Sequence, residues 1–186
     1  VSVALGLGSN VGRRARNLSL AAMRLALLEG LQVVRLSAVY ETEPWGVTEQ
    51  PPFLNAVLIA RTRLCPEALL DQLKTLEREL GRVPGPRWGP RIVDVDIILY
   101  GELHVATPQL QIPHPRLCQR QFVLVPLAEV APEAEVAPGL TASDLARPED
   151  PTIRRLGPLA EVLGLEGSGT LSLKAPPAGG PRCPSR

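Results

Sequence analysis

The apolar positions of this chain follow two rhythms that hand over to each other in order. Residues 1–7 read as a strand running into the turn Gly6-Leu7-Gly8-Ser9-Asn10-Val11-Gly12. Its first two glycines resemble the start of a nucleotide loop, but the third is displaced to position 12, so the segment reads as a strand-to-helix turn. Over 13–28 the rhythm becomes helical, with Leu18, Ala21, Ala22, Leu25 and Leu28 on one side and Gly30 past the end. Residues 31–42 alternate as one strand, with Val34, Leu36, Ala38 and Tyr40 sharing a face. A loop rich in turn formers covers 43–52. The strand predicted over 53–63 carries Leu54, Ala56, Leu58 and Ala60 on one face and Phe53, Asn55, Val57 and Ile59 on the other. Pro66 opens a helix at its favoured first position. Leu69, Leu73, Leu76 and Leu80 line one side of it, Glu77 falls on its polar side, and Gly81 closes it. After a basic loop, the strand over 92–100 places Val93, Val95, Ile97 and Leu99 on one face and Asp94 and Asp96 on the other.

That order is βαββαβ, the pattern of an α+β, ferredoxin-like core: one antiparallel sheet with two helices on one face. Gly101-Glu102 reads as a hairpin turn, and further apolar segments follow at 110–114 and 122–127. Thr141 is placed to cap a short helix starting near Ala142. The pattern weakens from Gly157, and 167–186 is rich in Gly, Pro and Ser. The expectation is a single domain over 1–166, with C-terminal additions to the core, and a flexible tail over 167–186.

Composition narrows the class. A length of 186 residues suits one domain, and 45% hydrophobic residues is a globular value. A net charge of +1 offers no broad field for nucleic acid or an anionic membrane. Cys65, Cys118 and Cys183 show no CxxC spacing, which points to a reducing compartment. No apolar run approaches the roughly 20 residues of a membrane span, and no signal-like core opens the chain. A cytoplasmic protein, acting as a monomer, is expected.

Candidate chemistry concentrates in 87–100, RWGPRIVDVDIILY. Arg87, Trp88 and Arg91 crowd around the turn formers Gly89 and Pro90. Asp94 and Asp96, on one strand face, stand about 6–7 Å apart at Cα. Unpaired they repel, whereas divalent cations about 3.5–4 Å apart suit them. Hard oxygen ligands favour magnesium, magnesium favours substrate phosphates, and the arginines offer planar forks to phosphate oxygens. An Asp-x-Asp alone is also what a solvated strand face carries; its conjunction with the basic loop and the turn favours the site. Phe53 and Asn55 side by side offer a ring to stack on and an amide that both donates and accepts, although a core phenylalanine beside an edge asparagine reads the same way.

The run Arg87-Trp88-Gly89-Pro90-Arg91-x-x-Asp94-Val95-Asp96-Ile97-Ile98 resembles the signature of the 6-hydroxymethyl-7,8-dihydropterin pyrophosphokinases of folate biosynthesis. The likeness extends to Gly8-Ser9-Asn10, Tyr40-x-Thr42-x-Pro44, Phe53-Leu54-Asn55 and Ile112-Pro113-His114-Pro115, covering about residues 1–145. It implies transfer of pyrophosphate from ATP to the dihydropterin, with Asp94 and Asp96 holding two magnesium ions on ATP and Arg82 and Arg91 completing the catalytic set. It further implies that Glu77, Arg82, Trp88, Arg91, Ile97, His114 and Arg120 bind ATP, and that Thr42, Pro44, Trp45, Phe53, Asn55 and Phe122 bind the pterin. No nucleic acid or membrane partner is implied. The chain departs from the family at Phe53, often tyrosine there, at Val83-Pro84-Gly85-Pro86, usually more basic, and at Gln109, where an arginine commonly stands. No general base is evident. Two other readings compete: a two-metal nucleotidyltransferase on the same core, and a non-catalytic ferredoxin-like module binding RNA or a small ligand. The latter is disfavoured by 3% aromatics and balanced charge.

Overall fold

A strand apolar on both faces needs a covering layer on each, and β4 (Phe53–Thr62) is such a strand. The structure, a computed structural model, describes residues 1–44, 49–83 and 89–163. The chain forms β1 (Ser2–Ser9), α1 (Arg14–Ala26), β2 (Leu31–Leu36), β3 (Val39–Thr42), β4, α2 (Pro66–Glu79) and β5 (Asp94–Tyr100). The α+β, ferredoxin-like core therefore stands, with the strand expected over 31–42 divided in two, so that three strands and not two lie between the helices. Two small ribbons follow, β6 (Val105–Ala106) with β7 (Gln111–Ile112) and β8 (Glu135–Ala137) with β9 (Leu140–Thr141). Between them runs α3 (Gln121–Val130), and after them α4 (Ala142–Leu145), β10 (Ile153–Gly157) and α5 (Leu159–Val162). The main sheet has the order β10-β3-β4-β1-β5, all antiparallel, with β2 also pairing β4.

One face packs on α1 and α2. Leu5, Leu7, Leu54, Leu58, Val95 and Ile97 meet Leu18, Leu25, Leu69 and Leu73 in the larger core. Each leucine buried there contributes about 1.5–3 kcal/mol. On the other face Ala4, Val57, Ile98 and Leu99 pack against Val123, Leu124, Leu127 and Val130 of α3. The segment 122–127 is thus part of a helix, which accommodates Pro126 within it. At the α4 start, Thr141 caps the helix as anticipated, and Asp144 completes a reciprocal capping box with it.

Three strand expectations are corrected. Residues 31–42 form β2 and β3, not one strand. The β2–β4 register shifts between Val33 and Arg35, and this bulge leaves Val34 49% exposed instead of facing the core. The β1–β5 register also shifts: Leu5 opposes Ile97 while Ala4 opposes Leu99, so Ile98 is the extra residue. Beyond it the alternation flips, and Leu99 packs with α3 while Tyr100 joins the α1–α2 core. Gly101-Glu102 does turn, with Gly101 at φ +52, but the strand after it pairs with β7 and not with β5. The edge strand β10, which pairs β3, had no counterpart in the sequence pattern.

Candidate active site

Alternation along β1 sends Leu5 and Leu7 to the larger core and Gly6 and Gly8 to the opposite face. Gly8 lies opposite Asn55 on β4 and Asp94 on β5, and Gly6 lies opposite Val57 and Asp96. With no side chain on the central strand, a trough runs between the two flanking strands, whose backbones are about 10 Å apart across it. A Cβ on Gly8 would come within 3.2 Å of Asn55 Oδ1, and one on Gly6 within 3.1 Å of Ile98 Cδ1. The glycines are therefore the floor of a cleft with about 280 Å³ of free volume. Asp94, Asp96, Arg91 and Gly89 line one side, Thr42, Phe53 and Asn55 the other, and His114, Arg120 and Phe122 close the end where α3 begins.

Each wall is internally tied. Asn55 Nδ2 donates to Thr42 Oγ1 at 2.7 Å, both buried, which fixes the direction of the amide. Opposite, Arg82 and Arg91 each place a guanidinium nitrogen 2.5 Å from a different oxygen of Asp94. Burial pushes the Asp94 carboxyl up, but Arg91 and Arg82 outweigh it and hold it below the ordinary carboxylate range. Asp96 has the reverse balance. Burial, with the neighbouring Asp94 charge, raises it to about 6. Its carboxylate makes no hydrogen bond or ion pair among the described residues. At the closed end, burial and the charges of Arg120 and Arg116 push His114 down to about 4, so the ring is neutral at pH 7. Arg120 Nη1 lies 3.3 Å from His114 Nε2, and its guanidinium sits 5.6 Å from the Phe122 ring centroid.

Glu77 corrects an expectation. It sits on the packed side of α2, 1% exposed, and not on a solvated face. Its Oε1 accepts the Val95 amide at 2.7 Å, while Arg82 and Lys74 pair with the carboxylate. Burial raises its pKa. Glu77 thereby ties α2 to β5 and holds Arg82 beside Asp94.

Among the other residues singled out in the sequence, Ile97 points into the α1–α2 core, away from the cleft. Pro44 is buried but does not line the cleft. Trp45 and Trp88 lie outside the described residues. Two features escaped the sequence reading. One is the glycine floor, signalled by Ala4, Gly6 and Gly8 at strand period two. The other is the tying role of Asn10, noted in the sequence only as part of Gly8-Ser9-Asn10: it is 1% exposed, and its Oδ1 accepts the Arg91 amide at 2.7 Å while its Nδ2 donates to Gln50 Oε1 at 3.0 Å and the Pro51 carbonyl at 3.2 Å. Ser9 Oγ and Asn17 Nδ2 reinforce this by donating to the Ile92 carbonyl. The turn after β1 thus clasps the segments entering both walls.

No group of three or more His, Cys, Asp or Glu suited to a metal occurs among the described residues. Two carboxylates on one strand, one of them raised by burial and by its neighbour's charge and without an ion pair among the described residues, are a donor set for a cation that brings most of its ligands with it.

The family model for 7,8-dihydro-6-hydroxymethylpterin-pyrophosphokinase (HPPK) matches residues 4–132. The chain is 43% identical over 152 residues to the 2-amino-4-hydroxy-6-hydroxymethyldihydropteridine pyrophosphokinase of Methylorubrum extorquens, an alignment covering 82% of this chain and 96% of that one. Against the protein of the same name from Bacillus subtilis it is 42% identical over 131 residues, 70% of this chain and 78% of that one. It is 48% identical over 128 residues to a mitochondrial folate synthesis bifunctional protein of Arabidopsis thaliana, but that match spans only 23% of the plant protein's length. The crystal structure of wild-type Plasmodium falciparum HPPK-DHPS shares the fold at a TM-score of 0.62 and 15% identity, over 83% of this chain and 48% of that one. With the family model matched over most of its length and relatives above 40% identity, the chain belongs to the 7,8-dihydro-6-hydroxymethylpterin-pyrophosphokinase family.

Proposed function

We propose that this chain transfers pyrophosphate from ATP to the hydroxymethyl group of 6-hydroxymethyl-7,8-dihydropterin, giving the pterin diphosphate and AMP. The observation that carries this reading is the glycine-floored trough, with a carboxylate pair on one bank and the Phe53–Asn55 pair on the other. The substrate oxygen attacks the β-phosphorus, the bond to the α,β-bridging oxygen breaks, and AMP leaves with the electron pair. Asn55, oriented by Thr42, reads the polar edge of the pterin, and Phe53 and Phe122 take its flat faces. Arg82, Arg91, His114 and Arg120 are the phosphate-facing groups. The two arginines on Asp94 are preorganised cations beside the point where phosphate charge develops. Asp94 and Asp96 would hold the magnesium that accompanies ATP; magnesium supplies charge neutralisation and a lower pKa for the attacking hydroxyl. His114, neutral at pH 7, donates or accepts a hydrogen bond without adding charge.

Incubation with ATP, magnesium and the dihydropterin, followed by nucleotide chromatography, tests the reading. AMP forming mole for mole with pterin diphosphate is expected. Free pyrophosphate would mark a nucleotidyltransferase, ADP an ordinary kinase, and AMP independent of the pterin would overturn the proposal.

A further inference from the structure

Arg14 occupies the first turn of α1, where a cation opposes the helix dipole, and no acidic side chain in that turn offsets it. Arg14 Nη1 donates to the Pro52 carbonyl at 2.7 Å, and Nη2 pairs with Glu41 Oε1 at 2.9 Å. The other Glu41 oxygen is taken by Arg154 of β10. Arg14 and Glu41 are 29% and 21% exposed, so the pair is better shielded than a surface ion pair.

The position of this fork matters. Thr42 and Phe53 form the final rung of the β3–β4 ladder, where the two strands part to enter the 43–52 connection. Glu41, on β3, and Pro52, the residue just before β4, adjoin that rung on either side. Alternation turns Thr42, Phe53 and Asn55 to the cleft and Glu41 to the α1 side. Arg14 therefore grips both strand ends from behind the sheet, at the residues next to those that form the cleft wall.

We infer that Arg14 is a positioning residue for the dihydropterin subsite, an inference that rests on the function proposed above: by bridging Glu41 and the Pro52 carbonyl it sets the spacing of the strand ends that present Thr42, Phe53 and Asn55. Its effect belongs to one substrate. Asp94 and Asp96 are on β5, across β1, and neither is a hydrogen-bond or ion-pair partner of Arg14. Lysine at this position keeps the charge but is a point donor without a planar fork, so it cannot span both partners in the same way.

The test uses the full chain with Arg14→Ala and Arg14→Lys, each scored for melting temperature, dihydropterin dissociation constant, and dissociation constant of a non-hydrolysable magnesium–ATP analogue. Arg14→Ala should weaken dihydropterin binding about tenfold, the loss of one charge-assisted hydrogen bond's worth of positioning, and shift the nucleotide less than about twofold. Arg14→Lys should fall between it and the parent, with a native melting temperature. Steady-state data should show the change in the KM for dihydropterin more than in kcat. Equal weakening of both ligands would overturn the inference and make the residue a general structural brace. If Arg14→Ala fails to fold, the lysine variant decides: native stability with native dihydropterin affinity also overturns it. Failure of the parent protein to bind dihydropterin is a different result, and it would remove the proposed function itself.

Discussion

Asp94 and Asp96 have the same chemistry and opposite surroundings, and their neighbours decide how each behaves. Arg82 and Arg91 pair with Asp94, whereas Asp96, desolvated beside that like charge, makes no ion pair among the described residues and feels Lys74 and Arg120 only at a distance. Asp96→Asn should therefore leave the metal-free fold as stable as the parent or about 1 kcal/mol more so, because it removes a repulsion. The same change should lower turnover by about 10²-fold or more, as expected on losing one group of a preorganised charge site. Asp94→Asn should lower both, since two guanidiniums are left facing a neutral amide. Urea unfolding without magnesium, beside turnover with it, separates the two residues; identical stability losses would contradict the assignment. His114 makes a pH prediction. Its folded pKa of about 4 lies below the ordinary value of 6.5, so its contribution to stability is complete above pH 6.5. As pH falls from 6.5 towards 4 the unfolded chain takes a proton that the folded chain refuses, and up to about 3 kcal/mol is lost. His114→Gln should flatten that part of the stability curve, and proton NMR should find the His114 ring still neutral at pH 5. Both carboxylates were legible in the sequence as a same-face pair. Their opposite electrostatics were not, because burial and the approach of Arg82, twelve positions upstream, are products of folding.

Among the elements, β1 is the one the site depends on most, and it contributes little side chain to it. Its even positions after Ser2 are Ala4, Gly6 and Gly8, and pairing on both edges sets the distance between the two banks of the cleft. Gly8→Ala has an ordinary backbone conformation to occupy, but its Cβ would press on Asn55 Oδ1 at 3.2 Å. The amide must then yield, so dihydropterin affinity should fall about tenfold with little change in melting temperature. Calorimetry with each ligand checks this, and a loss confined to the nucleotide would refute it. The junction of α2 and β5 makes a stability prediction. Glu77→Gln keeps the size but loses the charge that pairs Arg82 and Lys74, and about 2 kcal/mol should be lost in urea unfolding. The helix itself was legible from Leu69, Leu73, Leu76 and Leu80. Glu77 lies four positions past Leu73, on the edge of that stripe, and an acidic residue there reads as solvated until the β5 backbone is known to present the Val95 amide to it. The bulges at Val34 and Ile98 were equally hidden, since an extra residue in one strand is defined only by its partner.

At the scale of the whole molecule, two covering layers on one sheet determine where a cleft can exist. The α1–α2 layer covers its face of the sheet, while α3 covers the opposite face only as far as Phe122 and Val123 and leaves the glycine stretch open. Residues 167–186 have no periodic apolar face, and ending the chain after Gly167 should leave melting temperature and turnover nearly unchanged, the latter within about twofold. A large loss of either would show that this segment packs on the domain. The local pattern was enough to specify the two helices and their apolar stripes, the start at Pro66, the cap at Thr141, the α+β class and the Asp94–Asp96 pair, because periodicity and capping depend on neighbours within a few residues. The same residues were enough to identify the family. The folded chain decided that 122–127 is a helix laid on the second face and that β10 extends the sheet beside β3. It also decided that Glu77 and Asn10 are buried ties, and that Gly6 and Gly8, read from the sequence only as part of a turn, separate the two banks of the cleft. These follow from pairing between positions tens of residues apart, and no local rhythm in a chain encodes which distant backbone will lie alongside it.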